Sequence, residues 1–241
     1  MVTEEEILLR IQKNPSEHLA EYDLDYYRAY RLGYELALCE NGVSEINIIV
    51  PTDKFEQYLK DKYKIKEYPC NIRYDSYLEL ITSSKKEYFD LYISEKLNAS
   101  KSFNIQKETI KIASKKNYTS SDYFENITKR PGMYFGNNFS SLHLGSFFLG
   151  YEWAIKDYDL KKTFLTKNYS NFQAWYDTKA PFAIGYPWYK TMLIQTLHSY
   201  NHSFYCFIQD YSDFLEGKPS NYRLKESVNI AFEELMKDLD K

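Results

Sequence analysis

The sequence predicts a mostly α-helical protein of two related helical domains in tandem, with a short strand or extended segment near residues 45–50. Three observations predict it. Apolar side chains recur at three- and four-residue spacing through most of the 241 residues, the period of one helix face. Only 8 glycines and 7 prolines are present, too few turn formers for a many-stranded β architecture. Finally, Leu32-Gly33-Tyr34-Glu35-Leu36-Ala37 is echoed by Leu149-Gly150-Tyr151-Glu152-Trp153-Ala154, an offset of 117 residues, and such self-similarity marks an internal repeat.

Thr3 with Glu6 forms a capping box that opens the first helix, and Ile7, Leu8 and Ile11 give it one apolar stripe ending near Asn14-Pro15. A longer helix runs from Leu24 to Glu40 and stops at Asn41-Gly42. Glu45 to Val50 is β-branched and reads as a strand or an extended loop before Pro51. Helical patterns resume at 53–63, 74–83 and 86–97. The texture then turns to Ser, Asn, Lys and Thr, so 99–128 reads as a polar, basic linker, with a short helix or strand near 105–113. This divides the chain into an N-terminal repeat (1–98), the linker and a C-terminal repeat (129–241). Helical patterns recur at 140–157, 171–178, 187–199 and 202–215. Leu224, Val228, Ala231, Phe232, Leu235 and Leu239 then fall on one face of a closing helix.

The repeat extends beyond the six-residue echo. Phe55 and Tyr58 meet Phe172 and Trp175 at the same offset. With a small gap, Tyr74 and Leu78 meet Tyr189 and Leu193, and Glu87-Tyr-Phe meets Ser203-Phe-Tyr. Glycine in mid-helix costs up to about 1 kcal/mol relative to alanine. Its presence in both copies, at Gly33 and Gly150, reads as close helix approach, with Tyr34, Glu35, Tyr151 and Glu152 beside it as structural partners.

Aromatic residues make up 18% of the chain, far too much buriable surface for a disordered protein. The three cysteines, Cys39, Cys70 and Cys206, are too few and too scattered for a disulfide framework or a zinc site. The acidic N-terminus has no apolar h-region and no window spans a membrane, so a cytoplasmic location without membrane partners is expected. Twenty-five tyrosines in a chain of net charge −3 leave two readings open: coding bias, or a surface enriched for protein contact.

Lys129-Arg130-Pro131-Gly132-Met133-Tyr134-Phe135-Gly136 opens the second repeat. It resembles the Lys-Arg-Pro-Gly-Met-Tyr-Ile-Gly string of type II topoisomerase ATPase domains over eight residues. No Gly-x-Gly or Walker-type loop accompanies it, and ATPase activity is not expected. With Leu142, Phe147, Phe148, Gly150-Tyr151-x-x-Ala154, Phe172-x-x-Trp175 and Trp188-x-x-x-Met192-Leu193, the string resembles a group of small bacterial domains over residues 125–215. That resemblance implies a fold and a bacterial source but no activity. The N-terminal repeat lacks the Arg-Pro-Gly-Met-Tyr string. Pro131-Gly132 reads as a turn with glycine at positive φ, after which Met133, Tyr134 and Phe135 plug an apolar site.

Candidate chemistry is sparse. His198, His202, Cys206 and Asp210 share a four-residue spacing, but the first and third lie about 12 Å apart along a helix axis, so no single metal ion is expected. Glu35 and Glu152 would pair only if they faced one groove. The segment 101–130 carries seven basic against three acidic residues; it reads as a solvated linker, with nucleic-acid binding as the less favoured alternative. No cofactor is expected. The function expected is stoichiometric protein binding, of the immunity or antitoxin kind, against a toxic or defence partner; the alternatives are an enzyme with a site between the repeats and a nucleic-acid-associated defence or regulatory protein. The candidate contact residues are Tyr22, Tyr26, Tyr27, Tyr30, Lys129, Arg130 and Tyr134. Gly33, Tyr34, Glu35, Pro131, Gly132, Gly150, Tyr151, Glu152, Trp175 and Trp188 are the candidate structural ones.

Overall fold

The computed structural model describes residues 2–43, 45–48, 50–65, 75–102, 108–111, 120–161, 164–180 and 185–218. The closing helix expected over 221–239 and Cys70 lie outside these. The protein is mostly helical, as its spacing predicts. The first six helices are α1 (Glu4–Lys13), α2 (Pro15–His18), α3 (Leu24–Glu40), α4 (Thr52–Tyr63), α5 (Ser76–Leu80) and α6 (Lys85–Ser102). The next six are α7 (Ser120–Lys129), α8 (Pro131–Phe135), α9 (Ser141–Tyr158), α10 (Phe164–Lys179), α11 (Trp188–Gln195) and α12 (Tyr200–Leu215).

The Thr3 capping box is formed: the Glu6 amide donates to Thr3 Oγ1 and the Thr3 amide to Glu6. The segment near 45–50 is a strand, β1 (Glu45–Ile48), paired antiparallel with β2 (Glu108–Lys111) so that Glu45 faces Lys111. The stretch 99–128 is therefore more than a connector. Its described residues include the last turn of α6, the strand β2 and most of α7. The polar texture concealed α7 because its apolar stripe, Tyr123, Phe124 and Ile127, is only three residues long.

Helices of the two halves share one apolar cluster, centred on α3 and α9, which run side by side in the same direction. Each brings its glycine against the other's backbone. A Cβ on Gly33 would sit 1.9 Å from the Phe147 carbonyl oxygen, and one on Gly150 would sit 1.9 Å from that of Tyr30. Tyr34 donates to Asp157 (2.9 Å) and Tyr151 donates to Glu40. The rings of Tyr26 and His143 meet at 4.7 Å. Every one of these contacts maps onto another, or onto itself, when 117 is added to the first helix and subtracted from the second, the signature of a quasi-two-fold axis between them. Even the helix ends agree. The chain leaves through left-handed residues, Gly42 and Asp159, and the following amides of Val43 and Leu160 bond back to Leu38 and Ile155.

The correspondence continues outward. Lys62 on α4 pairs with Glu95 on α6 and lies over the Tyr58 ring; Lys179 on α10 pairs with Asp210 on α12 and lies over Trp175. This pairing puts α6 and α12 in register at an offset of 115, so buried Phe89 matches buried Phe204. The Glu87/Ser203 match expected from sequence is off by one residue.

The N-terminal half also has a counterpart to the Arg-Pro-Gly-Met-Tyr string. Lys13-Asn14-Pro15-Ser16-Glu17-His18 builds α2 as Lys129-Arg130-Pro131-Gly132-Met133-Tyr134 builds α8, each with proline in its first turn. Only the proline and lysine survive, which hid it from a residue-by-residue comparison. Gly132 is helical here, and Gly136 takes the positive φ of +76°. The expected turn is thus a short helix, and Met133 does not plug an apolar site: it is 74% exposed.

Candidate functional site

Helices α3, α6, α9 and α12 begin at the same end of the molecule, around a cleft of about 740 Å³. One wall is α8 and the residues that follow it, Gly132 to Asn138; the other carries Asp23, Asp25, Arg28 and Lys85. Tyr26 and His143, the pair on the quasi-two-fold axis, and Tyr200 complete the lining.

The charged wall is internally matched. Asp23 caps α3 by accepting from the Asp25 amide (3.0 Å) and receives Lys85 Nζ at 2.6 Å. Arg28 bridges Asp25 (2.6 Å) and Asp75 (2.8 Å). The counterparts of Asp25 and Arg28 in the second half are Leu142, which is buried, and Gly145, whose Cβ would strike the Tyr189 ring. The polar wall therefore belongs to one copy only.

His143 is buried between Tyr26 and Phe135, ring centroids 4.7 and 5.5 Å away, with Nδ1 3.0 Å from Ser140 Oγ. Burial pulls its pKa down to about 4, against the upward pull of Asp25 and Asp23, so the imidazole is neutral at pH 7. Burial likewise pushes the Tyr26 hydroxyl up. Because the unfolded imidazole titrates near 6.5, acid protonates the unfolded chain first. Stability is complete above that value and is lost as pH falls through 6.5 toward 4. At pH 4.5 the loss due to His143 is expected to be about 2.5 kcal/mol. Urea unfolding at pH 7 and 4.5 should show a correspondingly smaller pH dependence in His143→Gln than in the parent; an equal dependence in both would exclude this group as the source.

The structure rearranges the residues expected to contact a partner. Tyr26, Tyr27 and Tyr30 are 4%, 2% and 1% exposed, so they are core and not a contact face. The reason is that α3 lies at the centre of the molecule, packed by other helices on almost every side. Its phenols are satisfied internally: Tyr27 donates to Glu4 and Tyr34 to Asp157. Tyr22 is half-buried against Phe89 and donates to Asp90 at 2.6 Å. Much of the tyrosine excess is thus buried ring area with the hydroxyl on a carboxylate, as Tyr58 and Tyr63 on Glu95 also show. Lys129 is exposed and paired with Glu125 in its own helix, and Arg130 is exposed at the start of α8. Of the expected set, Tyr134 and the buried Tyr26 line the cleft.

Among the structural candidates, Trp188 is fully buried on Phe207 (4.5 Å), and Trp175 stacks on Phe172 and donates to the Lys218 carbonyl. Pro131 is buried and Gly132 exposed. Glu35 and Glu152 do not meet. Glu35 pairs with Arg31 and lies near Tyr123, whereas Glu152 lies near Tyr169. His198 sits in the turn before α12, and among the described residues no group of three or more His, Cys, Asp or Glu is arranged to hold a metal ion. No described helix is long and apolar enough to cross a membrane.

His143, Asp23, Asp25, Arg28, Lys85, Asn137, Asn138 and Tyr200 were not singled out by sequence. One signal was present: His143 stands 117 residues after Tyr26, at the equivalent position of the repeated helix. No protein-family model matches the chain, and neither a curated protein nor a solved structure does.

Proposed function

We propose that this chain is a bacterial, cytoplasmic protein-binding factor of the immunity or antitoxin kind, internally duplicated over 1–98 and 129–241, that neutralises or regulates a toxic or defence partner by stoichiometric binding. One observation carries this reading. Most of the large apolar side chains exposed among the described residues stand at the end where the cleft opens: Leu80 and Ile81 on the α5–α6 corner, Ile194, Leu197 and Tyr200 on the α11–α12 corner, and Met133 on α8. A concentration of apolar surface around a concave centre is typical of a protein interface. Leu197 adds a second argument. It is 90% exposed and held at φ +50°, a conformation that costs an L-residue with a Cβ about 1 kcal/mol or more. The backbone closes α11, the His198 amide bonding back to Leu193, but a leucine side chain this exposed packs on nothing in the fold, so it suits an anchor for a partner's pocket.

The test is affinity capture from the source organism's lysate with tagged parent chain and with Leu197→Asp, both with nuclease and at moderate salt. The expected result is a single protein retained by the parent near 1:1 and reduced at least tenfold on the variant. Aspartate tolerates the left-handed backbone, so the variant keeps its fold. Loss of all captured material on nuclease treatment, or equal retention by both chains, would overturn the proposal.

A further inference from the structure

The protein-binding reading uses the rim of this end face; the cleft at its centre has different chemistry. We propose that the cleft binds a neutral nucleoside-class ligand: a heteroaromatic base carrying amide-type donors and acceptors on its edge, without a phosphate. This inference is independent of the identity of any protein partner.

Its volume, about 740 Å³, lies in the range of sites for small organic ligands, roughly 300–1,000 Å³. Phe135 and Tyr200 line it with partly exposed rings, above the buried Tyr26–His143 pair, and an accessible aromatic face accepts a base by stacking without regard to its identity. Asn137 and Asn138, on the loop leaving α8, bring two carboxamides to the lining. Each carboxamide offers both donors and an acceptor, the pattern that pairs with the amino and ring-nitrogen edge of an adenine-type base.

Charge decides between nucleoside and nucleotide. The lining holds two carboxylates, Asp23 and Asp25, and two cations, Arg28 and Lys85, and they are bonded to one another. The helix starts around the cleft favour an anion, but at α3 that position is already taken by Asp23 and Asp25. His143 is uncharged at neutral pH. No cation is left over for a phosphate, whose two negative charges would meet both carboxylates.

The asymmetry between the two halves supports a selected site over a packing defect. The positions matching Asp25 and Arg28 are an ordinary buried leucine and a glycine under Tyr189. The position matching exposed Met133 is Glu17, on an α2 that is sealed by Trp153, whose ring lies 4.5 Å from that of His18. One copy of the architecture closes over its core and the other leaves it open beneath polar and aromatic groups.

The experiment is thermal unfolding of the full chain with adenosine, guanosine, cytidine or uridine at millimolar concentration, each alongside its 5′-monophosphate. A saturable rise in Tm of roughly 3–7 °C is expected with adenosine, and a smaller or absent one with adenosine monophosphate. Gly132 lines the cleft and its Cβ would meet nothing within 4 Å, so the side chain of Gly132→Trp starts in open space beside the ligand's place. It should abolish the shift, while Gly132→Ala, the folding control, keeps it. No shift with any of the four nucleosides would overturn the proposal. So would a larger shift with the monophosphates, which would mark an anion site, or a shift that survives in Gly132→Trp, which would place the ligand elsewhere.

Discussion

Adding one methyl group at Gly33, or at Gly150, is expected to destabilise the protein by at least about 3 kcal/mol, near or beyond the upper end for an overpacked core. The atom that the new Cβ would strike, at 1.9 Å, is a backbone carbonyl oxygen of the facing helix in both cases. A side chain could rotate away, but a carbonyl within a helix cannot, so relief requires α3 and α9 to separate along their length. That separation would also stretch the Tyr34–Asp157 and Tyr151–Glu40 hydrogen bonds that tie the same two helices. Urea midpoints for Gly33→Ala and Gly150→Ala should fall together and by similar amounts. The double variant should cost less than the sum of the singles, because one separation relieves both clashes. Additive losses, or a loss below about 1 kcal/mol at either site, would contradict the contact described.

Lys179→Met is expected to cost about 3–5 kcal/mol, and Lys62→Met clearly less. Lys179 and Asp210 are only 4% and 7% exposed at the side chain, and removing one member of a buried pair strands the other charge. Burial already pushes the Asp210 carboxyl up despite the help of Lys179. The matching pair in the first half differs in its surroundings. Lys62 is 39% exposed, and Glu95 also accepts from the Tyr58 and Tyr63 hydroxyls, so its charge stays solvated by donors after Lys62 is lost. Chemical denaturation of the two variants in parallel checks the ordering. A combined Lys179→Met, Asp210→Leu replacement should recover much of the loss, since it removes both charges together.

The helical architecture was legible because helix periodicity is local, and the α3–α9 contact was legible because a mid-helix glycine repeated in the same setting needs a steric reason. The rest depended on what lies across the core. Tyr26, Tyr27 and Tyr30 read equally well as core or surface from sequence, since a phenol is buried readily only if a carboxylate waits for it, and Glu4 is 23 residues away in the chain. Met133 read as a plug because a methionine between proline, glycine and tyrosine suggests packing; its exposure follows from how α8 leans on α3, which no spacing encodes. The cleft was invisible for the same reason, its walls being contributed by residues 23–28, 85, 132–143 and 200. Its location at the axis end could have been inferred only by carrying the 117-residue offset to Tyr26 and His143.

The pairing of α3 with α9 also sets a timetable for biosynthesis. The glycine face of α3 has no counterpart until residues about 117 positions later have left the ribosome, an interval of roughly 6–23 s at ordinary elongation rates. Through that time the first half carries an aromatic-rich helix with its packing surface bare, too far from completion to be rescued by local structure. A nascent chain arrested at mid-synthesis is therefore expected to be more aggregation-prone than the finished protein. A ribosome stalled between the two halves would display a sticky intermediate that the finished molecule never shows.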